Sequence, residues 1–149
     1  MVTIGKQDLV PTVPAGATEA LGNDAAPTVT VVHPALLIRI NQLFRPDMSP
    51  LELYEVTRGV WKLGVRREKA QYGLAVFGGV VREVYEIQSW HPALTNAYET
   101  RGLEHHDVTG RWEFLGAVAD EEIRGRYRGR SVRHYFRKGM QNPTIYVNC

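Results

Sequence analysis

The stretch Tyr72-Gly-Leu-Ala-Val-Phe77, Gly78-Gly79, Val80-Val-Arg-Glu-Val-Tyr-Glu-Ile87 constrains the fold more than any other part of this chain. Two runs rich in β-branched and aromatic residues flank two glycines. A two-residue hairpin turn needs positive φ at both central positions, and glycine adopts positive φ without a steric penalty. The spacing predicts an antiparallel hairpin with strands over 72–77 and 80–87. In the second strand Val81, Glu83, Tyr85 and Ile87 are expected on one face, with Arg82, Val84 and Glu86 on the other. The alternation is imperfect, which implies that both faces are partly covered.

Other signals fall around this hairpin. Leu36-Leu-Ile-Arg-Ile40 reads as a buried strand. Ser49-Pro50-Leu51-Glu52 is a helix start: Ser49 as N-cap, proline in the first turn, and Glu52 placed to close a capping box. That helix is expected to stop at Gly59 in a left-handed conformation. Arg66–Ala70 reads as another helical turn, Ser89–Pro92 as a turn of the chain, and residues 93–110 as an irregular loop. Arg111–Leu115 alternates like a strand. Asp120 then caps a helix over 121–128 whose acidic first turn and basic last turn both suit the helix dipole. Thr144–Asn148, entered through Asn142-Pro143, is the closing strand.

Residues 1–34 are rich in Pro, Ala, Thr and Val and read as an extended arm or linker, although Pro27–Val32 alternates like a short strand. Residues 35–149 then form a single α+β domain. The expected architecture is small and mostly antiparallel, a curled β-barrel with two or three short rim helices.

At 149 residues the chain can bury one sizeable core. Its net charge of +2 does not announce a polyanionic partner, but the distribution is uneven. From Ile123 onward there are seven basic residues (Arg124, Arg126, Arg128, Arg130, Arg133, Arg137, Lys138) and no acidic one. The single cysteine, Cys149, allows no internal disulfide and fits a reducing compartment. The sequence contains no apolar run of membrane-spanning length and no signal-peptide order at its start. These features lead to the expectation of a soluble cytoplasmic protein without a membrane partner.

Motifs for catalysis are missing: no Gly-x-Ser-x-Gly, Walker loop or dinucleotide fingerprint occurs. No cofactor, catalytic residue or metal site is therefore expected. His105-His106-Asp107 and His134 leave a metal-dependent nuclease or hydrolase as an alternative, against the plainer reading of surface residues in a loop.

Binding is better represented. Trp61, Trp90 and Trp112 each have a basic or histidine neighbour within three positions. Aromatic faces stack on bases, and arginine presents a planar fork to phosphate. Trp112, in mid-strand, reads as a core residue. Trp61 and Trp90, beside turns, read as pocket residues. The C-terminal arginines divide between a solvated face and a phosphate contact. Ser131, His134, Tyr135, Gln141 and Asn142 add neutral hydrogen-bonding groups beside that charge.

The blocks "ELYEVTRGVWKLGVRREKAQYGLAVFGGVVREVYEIQSW", "GRWEFLGAVADEEIRGRYRGRSVRHYF" and "GMQNPTIYVNC" resemble an accessory C-terminal module found with GIY-YIG-type nuclease proteins of bacteria. The layout also resembles the PUA-like fold class, which includes EVE and ASCH domains that bind RNA or modified DNA bases. The resemblance covers roughly residues 36–149 and lacks the nuclease half, so it implies a reader of nucleic acid instead of a cutter. It implies a base or nucleotide pocket, for which Arg58, Trp61, Trp90, Ser131 and Asn142 are the expected lining, with Arg128, Arg130 and Arg133 on phosphates. The expected partner is nucleic acid, DNA ahead of RNA, or alternatively a free nucleotide or other small phosphorylated ligand.

Overall fold

The computed structural model describes residues 25–149, so most of the expected arm, residues 1–24, lies outside the described residues. In chain order the elements are β1 (Ala35–Arg39), α1 (Pro50–Arg58), β2 (Gly59–Lys62), a 3-10 turn (Val65–Lys69), β3 (Tyr72–Phe77), β4 (Val80–Pro92), β5 (Arg111–Val118), α2 (Glu121–Tyr127), a second 3-10 turn (Arg133–Tyr135) and β6 (Thr144–Val147). The six strands form one sheet in the order β2-β5-β4-β3-β1-β6. Among the pairings of these six strands, β1–β3 alone is parallel. The expected class is the observed one: a mixed α+β fold whose mostly antiparallel sheet curls into a half-barrel of the PUA-like kind, with two short helices packed on it among the described residues.

The hairpin forms as its glycines dictate, with φ of 61° at Gly78 and 79° at Gly79. The expected face assignment of its second strand needs correction. The β3–β4 register slips between Ala75 and Val76, leaving Arg82 as an extra residue on β4. A bulge of this kind shifts the alternation by one position. Val81 therefore shares a core cluster with Val84, while Tyr85 and Ile87 pack in the cluster on the opposite face. A second irregularity, between Ile87 and Ser89, bends β4 without ending it. Ser89–Pro92, expected to turn the chain, continues the strand to give it 13 residues.

Both faces of the sheet are covered, as the interior of β1 makes plain. Leu36 and Ile38 enter one cluster with Val56 of α1, Trp61 and Phe114; Ala35 and Leu37 enter the other with Val31, Tyr127 of α2 and Val132. Trp61 lies on β2 at one end of the strand order, yet it packs with residues of β1 near the other end. Sharing one cluster is what the curl achieves: the two ends of the sheet turn toward one another. Residues 27–33 lie along the second cluster. Thr28 bridges Ser131, the Val31 and Val32 amides donate to the Tyr135 and Tyr127 hydroxyls, and Asn148 donates to the Val31 and His33 carbonyls.

Helix α1 begins with the expected capping box, Ser49 Oγ accepting from the Glu52 amide and Glu52 returning the bond to the Ser49 amide. Its end differs from expectation. Gly59 is extended, with φ −170°, so left-handed freedom is not what places glycine there. A Cβ at this position would run into the Tyr98 hydroxyl and lie 3.0 Å from Glu113 Cβ. Close approach of a neighbouring loop is the reason. Asp120 caps α2 as expected, accepting from the Ile123 amide at 3.1 Å.

Candidate functional site

Three features of the described residues have functional character: an open cleft, a group of arginines at the hairpin tip, and a buried network of charges beneath a loop.

The cleft has a volume of about 400 Å³ and opens between the two ends of the curled sheet. Arg39, Asn41, Gln42 and Leu43 form one wall, at and beyond the end of β1; Trp61 of β2 and Gln141 with Pro143, leading into β6, form the rest. This is the mouth of the half-barrel, a common position for small-molecule sites. The wall is rigid at two points. Trp61 Nε1 donates to the Thr57 carbonyl at 2.7 Å, pinning the indole. The Arg39 guanidinium donates to the Met140 and Asn142 carbonyls at 2.8 and 2.9 Å and lies 4.9 Å from the Phe136 ring centre. Three primary amides (Asn41, Gln42, Gln141), each able to donate and accept, share the cleft with one aromatic ring and one cation.

The arginines gather around Gly78-Gly79. Arg82 donates to the Phe77 carbonyl and sits 5.3 and 5.5 Å from the rings of Phe77 and Phe44. Arg128 Nε donates to the Arg82 carbonyl, and Arg133 Nη2 to the Gly78 carbonyl. Arg130 is exposed, held by its own backbone carbonyl accepting from the Val81 amide. One carboxylate moderates the group: Glu83 takes a two-pronged bond from Arg124, at 2.8 and 3.0 Å, and lies 3.9 Å from Arg128. Tip and cleft adjoin, because the Gly78 amide donates to Asn41 Oδ1 at 3.4 Å.

The buried network lies under residues 93–101. Glu113 is fully buried, and its carboxylate accepts from the Leu94 amide, the Asn96 amide and the Asn96 side chain at 2.8–2.9 Å. Arg58, 3% exposed, places Nη1 3.7 Å from Glu113, donates Nη2 to the Ala97 carbonyl, and stacks 3.9 Å from the Tyr98 ring centre. Glu55 repeats the pattern one turn earlier on α1, accepting from the Glu99 and Thr100 amides and the Thr100 hydroxyl. Arg101 Nη1 meets the Glu55 and Gly59 carbonyls left open at the end of α1. Burial pushes the Tyr98 phenol up and lowers Arg101. Two carboxylates thus hold a loop that has no backbone ladder of its own.

One consequence is measurable. Burial raises the pKa of Glu55, but the Glu99 amide, the Thr100 hydroxyl and amide, and nearby Arg58 outweigh it and hold the carboxyl below its usual value. A folded pKa below the unfolded one means stability that is complete above the unfolded pKa and lost as pH falls through the folded pKa. Thermal melts are expected to be level near neutrality and to fall below about pH 4–5. Glu55→Gln should flatten part of that fall; an unchanged acid profile in the variant would refute the assignment.

Of the five expected pocket residues, two stand at the cleft and three do not. Trp61 forms a wall of the cleft, and Asn142 stands between two of its lining residues, with Oδ1 accepting from the Thr144 amide and hydroxyl. Arg58 is committed to the buried network. Trp90, half-buried, packs edge-on against Phe114 at the margin of the core cluster of that face. Ser131 is buried on the other face, bridged to Thr28 and Val80, with Oγ accepting from the Arg133 amide. The reading of the tryptophans is also revised. Trp61 is the most buried, whereas Trp112, expected in the core, lies half-buried near the rim with the Arg67 guanidinium 3.3 Å from its ring centre. Phe114, two residues on, takes the central place.

Arg128, Arg130 and Arg133 do share one region, the hairpin tip. His105, His106 and His134 are exposed, and His134 stacks on Tyr135. Among the described residues no group of three or more His, Cys, Asp or Glu is placed to hold a metal ion. No helix among them is long and apolar enough to cross a membrane. Arg39, Asn41 and Gln42 were missed by sequence reasoning, and so were Glu55, Tyr98, Arg101 and Glu113; Gln141, expected as a neutral hydrogen-bonding group, does line the cleft. No family model matches the chain, nor does any curated protein or solved structure.

Proposed function

We propose that this chain is a non-catalytic nucleic-acid-binding module that holds backbone phosphates on the arginines of the hairpin tip and takes an unpaired base, modified or unmodified, into the adjoining cleft, with DNA ahead of RNA. The observation that carries this reading is adjacency: a cleft lined by amides, a pinned indole and Arg39 opens beside Arg82, Arg128, Arg130 and Arg133. Amide side chains match the donor and acceptor edges of a base, and arginines match phosphate oxygens. The resemblance to accessory modules of nuclease proteins supports the same assignment.

A second reading has an observation in its favour. The cleft volume lies within the range of small-ligand pockets, so a free nucleotide is its natural competitor. Affinity that rises with strand length separates the two, since only a polymer offers further phosphates.

The direct test is binding of a short fluorescent single-stranded DNA, followed by anisotropy between about 50 and 200 mM salt. Each phosphate neutralised on a single strand steepens the dependence of log K on log salt by about 0.7. Arg130→Ala with Arg133→Ala should make the slope shallower by about 1.4. No binding at low salt, or an affinity indifferent to salt, would overturn the proposal.

A further inference from the structure

A second basic surface begins next to Trp61 of the cleft wall. Trp61 of the cleft wall is followed by Lys62, at the end of edge strand β2, and then by the 3-10 turn Val65–Lys69. Lys62, Arg66 and Lys69 are exposed, and Arg67 and Arg111 are half-buried beside them. The nearby acids are fewer: Glu68 pairs with Arg67 at 3.2 Å, and Asp107 accepts from the Thr109 amide and lies within electrostatic reach of Lys62 and Arg111.

The arginines of this surface are held in fixed orientation. The Arg66 guanidinium lies 4.7 Å from the Tyr146 ring centre, with Nε donating to the Cys149 main-chain oxygen. Its two Nη groups make no hydrogen bond to the described residues. A guanidinium whose plane is set by a ring and whose Nε is satisfied presents a ready fork to an anion, with less side-chain freedom to lose on binding. Arg67 is fixed in the same way, by Trp112 and by the Gly64 carbonyl. Tyr146 is three residues along β6 from Pro143 of the cleft, roughly 10 Å at strand spacing. Cations therefore stand beyond two of the cleft's lining residues: the hairpin tip past Asn41, and this turn past Trp61.

Resting on the nucleic-acid reading above, we infer that Lys62, Arg66 and Lys69 form a second phosphate contact, so that the strand crosses the cleft from one basic flank to the other and the base it takes belongs to an internal nucleotide. A chain end or a free nucleotide carries phosphate on one side only and fills one flank. An internal nucleotide fills both.

The test uses the full chain with a labelled single strand and with a labelled mononucleotide. Lys62 and Lys69 are exposed and bond to no described residue, so Lys62→Gln with Lys69→Gln should fold as the parent does. The pair of changes is expected to make the oligonucleotide salt slope shallower by about 1.4, additively with Arg130→Ala and Arg133→Ala. Lys62→Arg with Lys69→Arg should restore it. An oligonucleotide slope that responds only to the hairpin-tip changes would overturn the second contact while leaving the nucleic-acid reading intact. A mononucleotide bound as tightly as the strand would overturn it too. Failure of the parent chain to bind any oligonucleotide at low salt would remove both.

Discussion

Replacing Glu113 by alanine is expected to destabilise the fold by about 3–5 kcal/mol, the range for removing one partner of a buried ion pair. In a chain of this size that corresponds to a fall in melting temperature of about 6–20 °C. The magnitude follows from what the carboxylate does. It is fully buried, accepts three hydrogen bonds from Leu94 and Asn96, and neutralises Arg58, itself 3% exposed. Its removal leaves a buried guanidinium without its ion-pair partner, with the Glu55 charge still nearby, and two loop amides without acceptors. Glu113→Gln should cost less, because one oxygen still accepts, but an NH2 then faces an amide donor. Adding Arg58→Met to Glu113→Ala should recover part of the loss, so the two changes should be less than additive. A Glu113→Ala chain melting within about 2 °C of the parent would show that the network is not a support of the fold.

That network also marks where the sequence stopped being legible. The hairpin, both helix caps and the closing strand rest on local chemistry, with glycine at positive φ, Ser49 or Asp120 at an N-cap, and a β-branched run, and they formed where expected. Glu113 carries no comparable local sign. It stands between Trp112 and Phe114 on an alternating strand, a position that reads as solvent-facing unless the other face is known to be covered. Residues 93–101 provide that cover, and an irregular loop has no period from which its path can be read. The cleft was hidden for a related reason. Arg39 to Leu43, Trp61 and Gln141 to Pro143 are far apart in sequence and meet only because the sheet curls its ends together. The curl depends in part on the bulges in β4, and a bulge is decided by pairing partners, not by the strand alone. Arg58 shows the opposite error: an arginine beside a helix end looked like a pocket residue and is an interior one.

If the cleft reads a base, removing its amides should weaken binding in a manner distinguishable from removing the arginines. Gln42 and Gln141 are exposed at the cleft and make no hydrogen bond to the described residues, so their replacement by alanine should leave the fold intact. A good bidentate pairing to a base edge contributes about 1–3 kcal/mol of discrimination, so each change is expected to lower affinity for the preferred strand by about 5- to 150-fold. These contacts release no counterions, so the salt slope should stay where it was. The arginine variants should do the reverse, lowering affinity evenly across sequences and making the slope shallower. Measured on a strand with a single varied base, Gln42→Ala and Gln141→Ala should compress the differences among the bases. Were they instead to reduce all strands equally and flatten the salt dependence, the cleft would be part of a general phosphate surface, and its assignment as a base site would fall.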